Sequence, residues 1–94
     1  MCTYLTQHVT IEGSGKFADG WSGLHNATVY FDHPVHAMAE HTLNIDFFTA
    51  PDATGRRIAV ELTADAAREL AAAIEQAIAS APPEIVAASS ITRG

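Results

Sequence analysis

Positive charge is scarce in this chain. Five of its 94 residues are Lys or Arg against eleven Asp and Glu, a formal charge of −6 at pH 7. Such a balance repels a phosphate backbone, so no nucleic-acid partner is expected. Cysteine is almost missing too. A single one, Cys2, excludes an internal disulfide and fits a reducing compartment. No apolar run approaches the ~20 residues needed to cross a bilayer. Nor does a basic start lead into an apolar stretch, as a secretory signal would. The expectation is a cytoplasmic protein with no membrane partner.

Apolar residues, by contrast, make up 48% of the chain, enough for a globular core. Ninety-four residues make one small domain, and a chain this short gains burial by pairing with copies of itself. A homo-oligomer, most simply a dimer, is therefore expected.

Four stretches alternate with period two, the signature of half-buried strands. Tyr4 to Ile11 sets Leu5, Val9 and Ile11 on one face. Ala27 to Asp32, Thr42 to Thr49 and Arg56 to Leu62 follow the same pattern. Between the first two, Gly13, Gly15, Gly20 and Gly23 read as a long irregular loop pinned by Trp21. The segment "APDATG" has turn chemistry, with Pro51 and Gly55. Residues 64–81 then read as a helix, with Thr63 as N-cap and an apolar stripe of Leu70, Ile74 and Ile78. Pro82 and Pro83 stop it.

The expected fold is therefore α+β, a ββββα domain over residues 1–81 with a weakly patterned tail over 82–94. Four antiparallel strands form a sheet, and the C-terminal helix covers one face. The other face carries Thr6, His8, Tyr30, Asp32, Asn44, Asp46, Phe48, Arg57 and Glu61. An antiparallel sheet commonly leaves such a face to solvent. The competing reading is a binding surface or an interface.

The segments "ATVYFDHPVHAMAEHTLNIDF", "MCTYLTQHVTIEGSGK" and "RRIAVELTADAARELAAAI" together resemble a family of short bacterial proteins from high-GC genomes, known as a domain of unknown function. The resemblance runs over most of residues 1–80. It implies a free-standing, single-domain cytoplasmic protein and carries no activity, cofactor or catalytic residue.

Chemistry must come from the residues. His33, His36 and His41 fall within nine positions, beside Asp32 and Glu40. Neutral imidazole ligates zinc, copper, iron and nickel, so this loop is a candidate for a divalent transition metal. His8 or Cys2 would complete the ligand set. The alternative is that these histidines only end two strands, since their spacing fits no standard zinc signature. Cys2 is also a candidate nucleophile once Met1 is removed, its thiol lying beside an α-amine. Its alternative is a small buried thiol. Tyr30 and Asp46 are the other candidate catalytic groups, as acid and base on the polar face. Three function classes remain. One is a metal-binding protein or metal-dependent enzyme acting on a small molecule. The others are a metal-free small-molecule module whose polar site a second subunit closes, and an accessory subunit of a larger assembly.

Overall fold

The computed structural model of the chain describes residues 5–33, 41–51 and 54–89. Its contacts divide it into two compact units, Met1–Ala64 and Asp65–Gly94. The first is the sheet and the second is helical.

Four strands form the sheet: β1 (Thr6–Phe17), β2 (Gly20–Asp32), β3 (Thr42–Phe48) and β4 (Arg57–Leu62). They pair antiparallel in the order β1-β2-β3-β4, each strand beside its sequence neighbour. Short connections permit this, because antiparallel neighbours need no crossover. The α+β class and the order of four strands then a helix agree with the sequence reading.

The glycine-rich stretch does not. What reads as an irregular loop is the outer half of a long hairpin. Residues 13 to 17 pair with 20 to 24, from Gly13 opposite Leu24 to Phe17 opposite Gly20. Ala18 and Asp19 make a two-residue turn, and Gly20 follows at φ 125°, a conformation that L side chains rarely adopt. Glycines have no side chain to alternate, so period two vanishes where the chain is still extended. Gly15 is needed for another reason. A Cβ there would lie 3.2 Å from Leu24 Cδ1 and 3.3 Å from Ile58 Cδ1. Trp21 does not pin a loop either: it is an exposed strand residue opposite Lys16, whose ammonium lies 5.9 Å from its ring centroid.

Between Thr10 and Gly13 the register shifts. Two residues of β1 oppose one of β2, which is a β-bulge. Inward of it the register is regular. Thr6 faces Tyr30 and His8 faces Thr28, while β3 sets Ile45 against Val29 and Val60, and Asp46 against Thr28 and Ala59. Alternation therefore puts Ala27, Val29, Leu43, Ile45, Ile58 and Val60 on one face. Thr28, Tyr30, Asn44, Asp46, Ala59 and Glu61 share the other. The β3–β4 turn is closed by Thr49 and Arg56: Thr49 N–H donates to Arg56 O at 3.0 Å, and Arg56 N–H donates to Thr49 Oγ1 at 2.8 Å.

In the helical unit, α1 spans Ala64–Ala79, two residues short of the expected end, and begins just after Thr63. Asp65 in its first turn suits the positive end of the helix dipole, and Arg68 reaches it at 3.4 Å. At the other end Ser80 N–H still donates to Gln76 O at 3.0 Å. Pro82 then ends the ladder. The tail expected to lack pattern contains a second helix, α2 (Pro83–Ser89). Pro83 opens it, at the position where a missing N–H costs nothing. Pro82 O accepts from Ile85 N–H and Val86 N–H at 3.0 and 3.1 Å. The proline pair that stops one helix starts the next.

Candidate functional site

Period two and register bring the site together. Tyr30 on β2, Asn44 and Asp46 on β3, and Arg57, Ala59 and Glu61 on β4 occupy one sheet face. Polar residues on such a face are ordinarily wet. Here the middle of it is the driest part of the sheet. Thr42, Asn44 and Asp46 are 0%, 5% and 7% exposed, whereas Leu43, Ile45 and Phe47 between them are half-buried. Within the sheet unit, the polar set of β3 is therefore the more buried one. Asn44 lies directly between the long side chains of Tyr30 and Glu61, while Asp46, opposite Thr28 and Ala59, is reached diagonally by Tyr30 and Arg57.

Buried polar groups must be paired. Thr42 Oγ1 donates to Asn44 Oδ1 at 2.7 Å. The Tyr30 hydroxyl donates to Asp46 Oδ2 at 3.1 Å. Arg57 lies 3.9 Å from the same oxygen, beyond hydrogen-bond reach, with its guanidinium half in solvent. Among the described residues Asp46 thus has a close donor in Tyr30 and a looser cation in Arg57. Burial is the main cause that raises the Tyr30 phenol above its ordinary value of 10.0. The bond to Asp46 and the Asp46 charge push the same way, with a smaller push from Asp32, while Arg57 opposes them. Tyr30 thus stays a protonated donor through neutral pH.

Above these groups opens a cleft of about 110 Å³, lined by Tyr30, His33, Asn44, Asp46, Arg57, Ala59, Val60 and Glu61. It offers two carboxylates, a guanidinium, a phenol and an amide on a partly apolar floor. A small polar molecule with both donors and acceptors could be held there.

Of the expected metal ligands, the structure brings two together. His33 follows β2 and His41 precedes β3, and their rings stack with centroids 4.5 Å apart and planes inclined by 30°. His41 also stacks on Phe31 at 5.8 Å. His33 is oriented partly by its own backbone, whose N–H donates to Asp32 Oδ1 at 2.7 Å. His36 and Cys2 lie outside the described residues. His8 is not brought in: it faces Thr28, five residues before His33, and at ~3.3 Å per residue that is about 16 Å along the sheet. Among the described residues no three His, Cys, Asp or Glu side chains gather as a metal would require. Of the three candidate catalytic residues, Tyr30 and Asp46 meet directly. Thr42 carries no signal of its own in the sequence, although alternation places it with Asn44 and Asp46.

Fold and cleft define a small α+β protein with a polar site on an antiparallel sheet. The chain belongs to DUF6295, a family of unknown function whose model matches residues 1–87. No curated protein and no solved structure matches it. Among the described residues no helix is long and apolar enough to cross a membrane.

Proposed function

We propose that this protein binds a small polar molecule in the cleft on its polar sheet face. One observation carries the reading: a carboxylate, Asp46, is buried at the floor of an open cleft with a phenol as its close donor. Burying a charge is costly and brings the fold little that an apolar residue would not. A site that must recognise something accepts that cost. The ligand that suits Asp46 and Glu61 carries hydrogen-bond donors, such as an amine or hydroxyl groups, while Arg57 meets an acceptor on the same molecule. Tyr30 as donor and Asp46 as base are the groups able to shift a proton. A ¹H–¹⁵N titration with millimolar amines, polyols and small carboxylates tests this. Shifts centred on Tyr30, Asn44, Asp46 and Arg57, lost in Asp46→Asn, are expected. Silence at those residues across the panel overturns it.

A second reading rests on the stacked His33 and His41 rings. In it these two, with His36 between them in sequence, hold a divalent transition metal. Cys2 is the favoured fourth ligand of this reading, with His8 behind it because of its distance along the sheet. Zinc, copper, nickel or iron would then raise the melting temperature, and acidification would weaken binding because imidazole must be deprotonated to ligate. A melting temperature unchanged by all four metals sinks this reading and leaves the cleft reading intact.

A further inference from the structure

The cleft has a polarity as well as a floor. Every residue that lines it belongs to the sheet unit. Along β4, Arg57, Ala59 and Glu61 share its side of the sheet, with Ala59 in the middle. A guanidinium and a carboxylate thus stand at opposite ends, about 13 Å apart along the backbone. Between them Ala59 reaches no further than its Cβ. Its register partner is Asp46, so the gap over Ala59 opens beside the buried carboxylate. Arg57 leans towards that gap, 3.9 Å from Asp46 Oδ2. Glu61 is the other diagonal neighbour of Asp46, about 7–8 Å away at the backbone, a spacing that one ammonium can bridge.

These charges restrict the occupant. Two carboxylates, Asp46 and Glu61, line the cleft with one guanidinium, Arg57. A ligand that fills it takes water from all three, and a charge that loses water needs a counter-charge. A neutral polyol supplies none. An anion answers Arg57 but meets two carboxylates, and a simple cation leaves Arg57 unanswered. A molecule with an ammonium at one end and a carboxylate at the other answers both. Asp46 has the capacity for it, since a carboxylate accepts about four hydrogen bonds and Tyr30 supplies one. Size narrows the class further. A cavity of about 150 Å³ holds benzene, so about 110 Å³ holds roughly four or five heavy atoms.

We infer, resting on the ligand-binding cleft proposed above, that its occupant is a small zwitterion, an amino acid about the size of glycine or β-alanine. Its ammonium sits between Asp46 and Glu61, and its carboxylate meets Arg57. Ala59 sets the size limit, because any longer side chain there fills the gap between the two charged ends.

Ethanolamine and glycolate test the two ends separately, because each replaces one charged group of glycine by a hydroxyl at nearly the same size. ¹H–¹⁵N titrations at pH 7 and constant low ionic strength give Kd for these three, β-alanine and glycerol. The tighter of glycine and β-alanine should bind at least about fivefold more tightly than ethanolamine, glycolate or glycerol, the low end for a charge-assisted bond to a half-exposed arginine. Arg57→Gln should bring the amino acid to within about twofold of ethanolamine. Ala59→Val should weaken it at least about tenfold. The sheet should survive that change, since Ala59 is exposed and a β-branched residue suits a strand. The comparison of probes needs only the wild type. If ethanolamine, glycolate or glycerol binds at the cleft as tightly as both amino acids, the inference falls while the cleft stands as a site for another small molecule. An amino-acid affinity unchanged by Arg57→Gln or by Ala59→Val overturns it as well. Silence at Tyr30, Asn44, Asp46 and Arg57 with every probe, and with the wider panel above, overturns the inference and the cleft reading together.

Discussion

Deleting the Tyr30 hydroxyl is the sharpest perturbation of the site. Tyr30→Phe keeps the ring and takes away the hydroxyl that donates to Asp46 Oδ2. A hydrogen bond to a charged group contributes about 1.5–3 kcal/mol. Tyr30 is only half-buried, so the lower half of that range applies. Arg57 is the rival for the same oxygen. Two charges 3.9 Å apart attract by about 4 kcal/mol at an effective dielectric constant of 20. The Arg57 side chain is more than half exposed, however, and such pairs deliver about 0.2–1 kcal/mol once water and side-chain entropy are counted. The phenol should therefore outweigh the guanidinium.

Two double-mutant cycles separate the partners: Tyr30→Phe with Asp46→Ala, and Arg57→Ala with Asp46→Ala, each read by urea unfolding at one fixed protein concentration. The expected coupling is about 1.5–2 kcal/mol for the tyrosine and below about 1 kcal/mol for the arginine. A tyrosine coupling within ~0.3 kcal/mol of zero, the usual scatter of additivity, would refute the reasoning. So would an arginine coupling that exceeds it.

The two tyrosines should titrate apart. In Tyr4→Phe the remaining phenol, Tyr30, should ionise above 10.0 by ultraviolet absorbance. Because the folded value is raised, its contribution to stability is complete below about pH 10 and is lost as pH rises through the raised value. The gap between wild type and Tyr30→Phe should therefore narrow in strong alkali, and a gap independent of pH would contradict this. On the hairpin, Gly15→Val should cost about 1–3 kcal/mol in urea unfolding, since its side chain meets Leu24 and Ile58. Gly13→Ala, with nothing within 4 Å of its Cβ, should fall within about ±0.5 kcal/mol, and equal costs at both glycines would refute the packing argument.

What the sequence made legible is what side-chain alternation can carry. Leu43, Ile45 and Phe47 announce β3, and the same period alone assigns Tyr30, Asn44 and Asp46 to one face. The outer hairpin stayed hidden because Gly13, Gly15 and Gly23 leave gaps in the alternating pattern, so extended chain and loop look alike there. α2 stayed hidden because seven residues are too few for a helical period to show.

The burial of Asp46 was illegible for a different reason. Period two says which side chains share a face, but not which of them cover the others. Covering depends on reach across strands. Tyr30, Arg57 and Glu61 are long, while Thr42, Asn44 and Asp46 are short, and only the pairing of β2 and β4 around β3 sets the long ones beside the short ones. An Asp in alternation on an outer strand face is readily explained as solvated. On central β3 the same Asp is opposed directly by the short Thr28 and Ala59, and Tyr30 and Arg57 reach its carboxylate from diagonal positions. Strand order thus turns an ordinary polar residue into the floor of a cleft. The register of β1 on β2 likewise sets His8 opposite Thr28, about 16 Å along the sheet from His33, a distance that sequence spacing alone does not give.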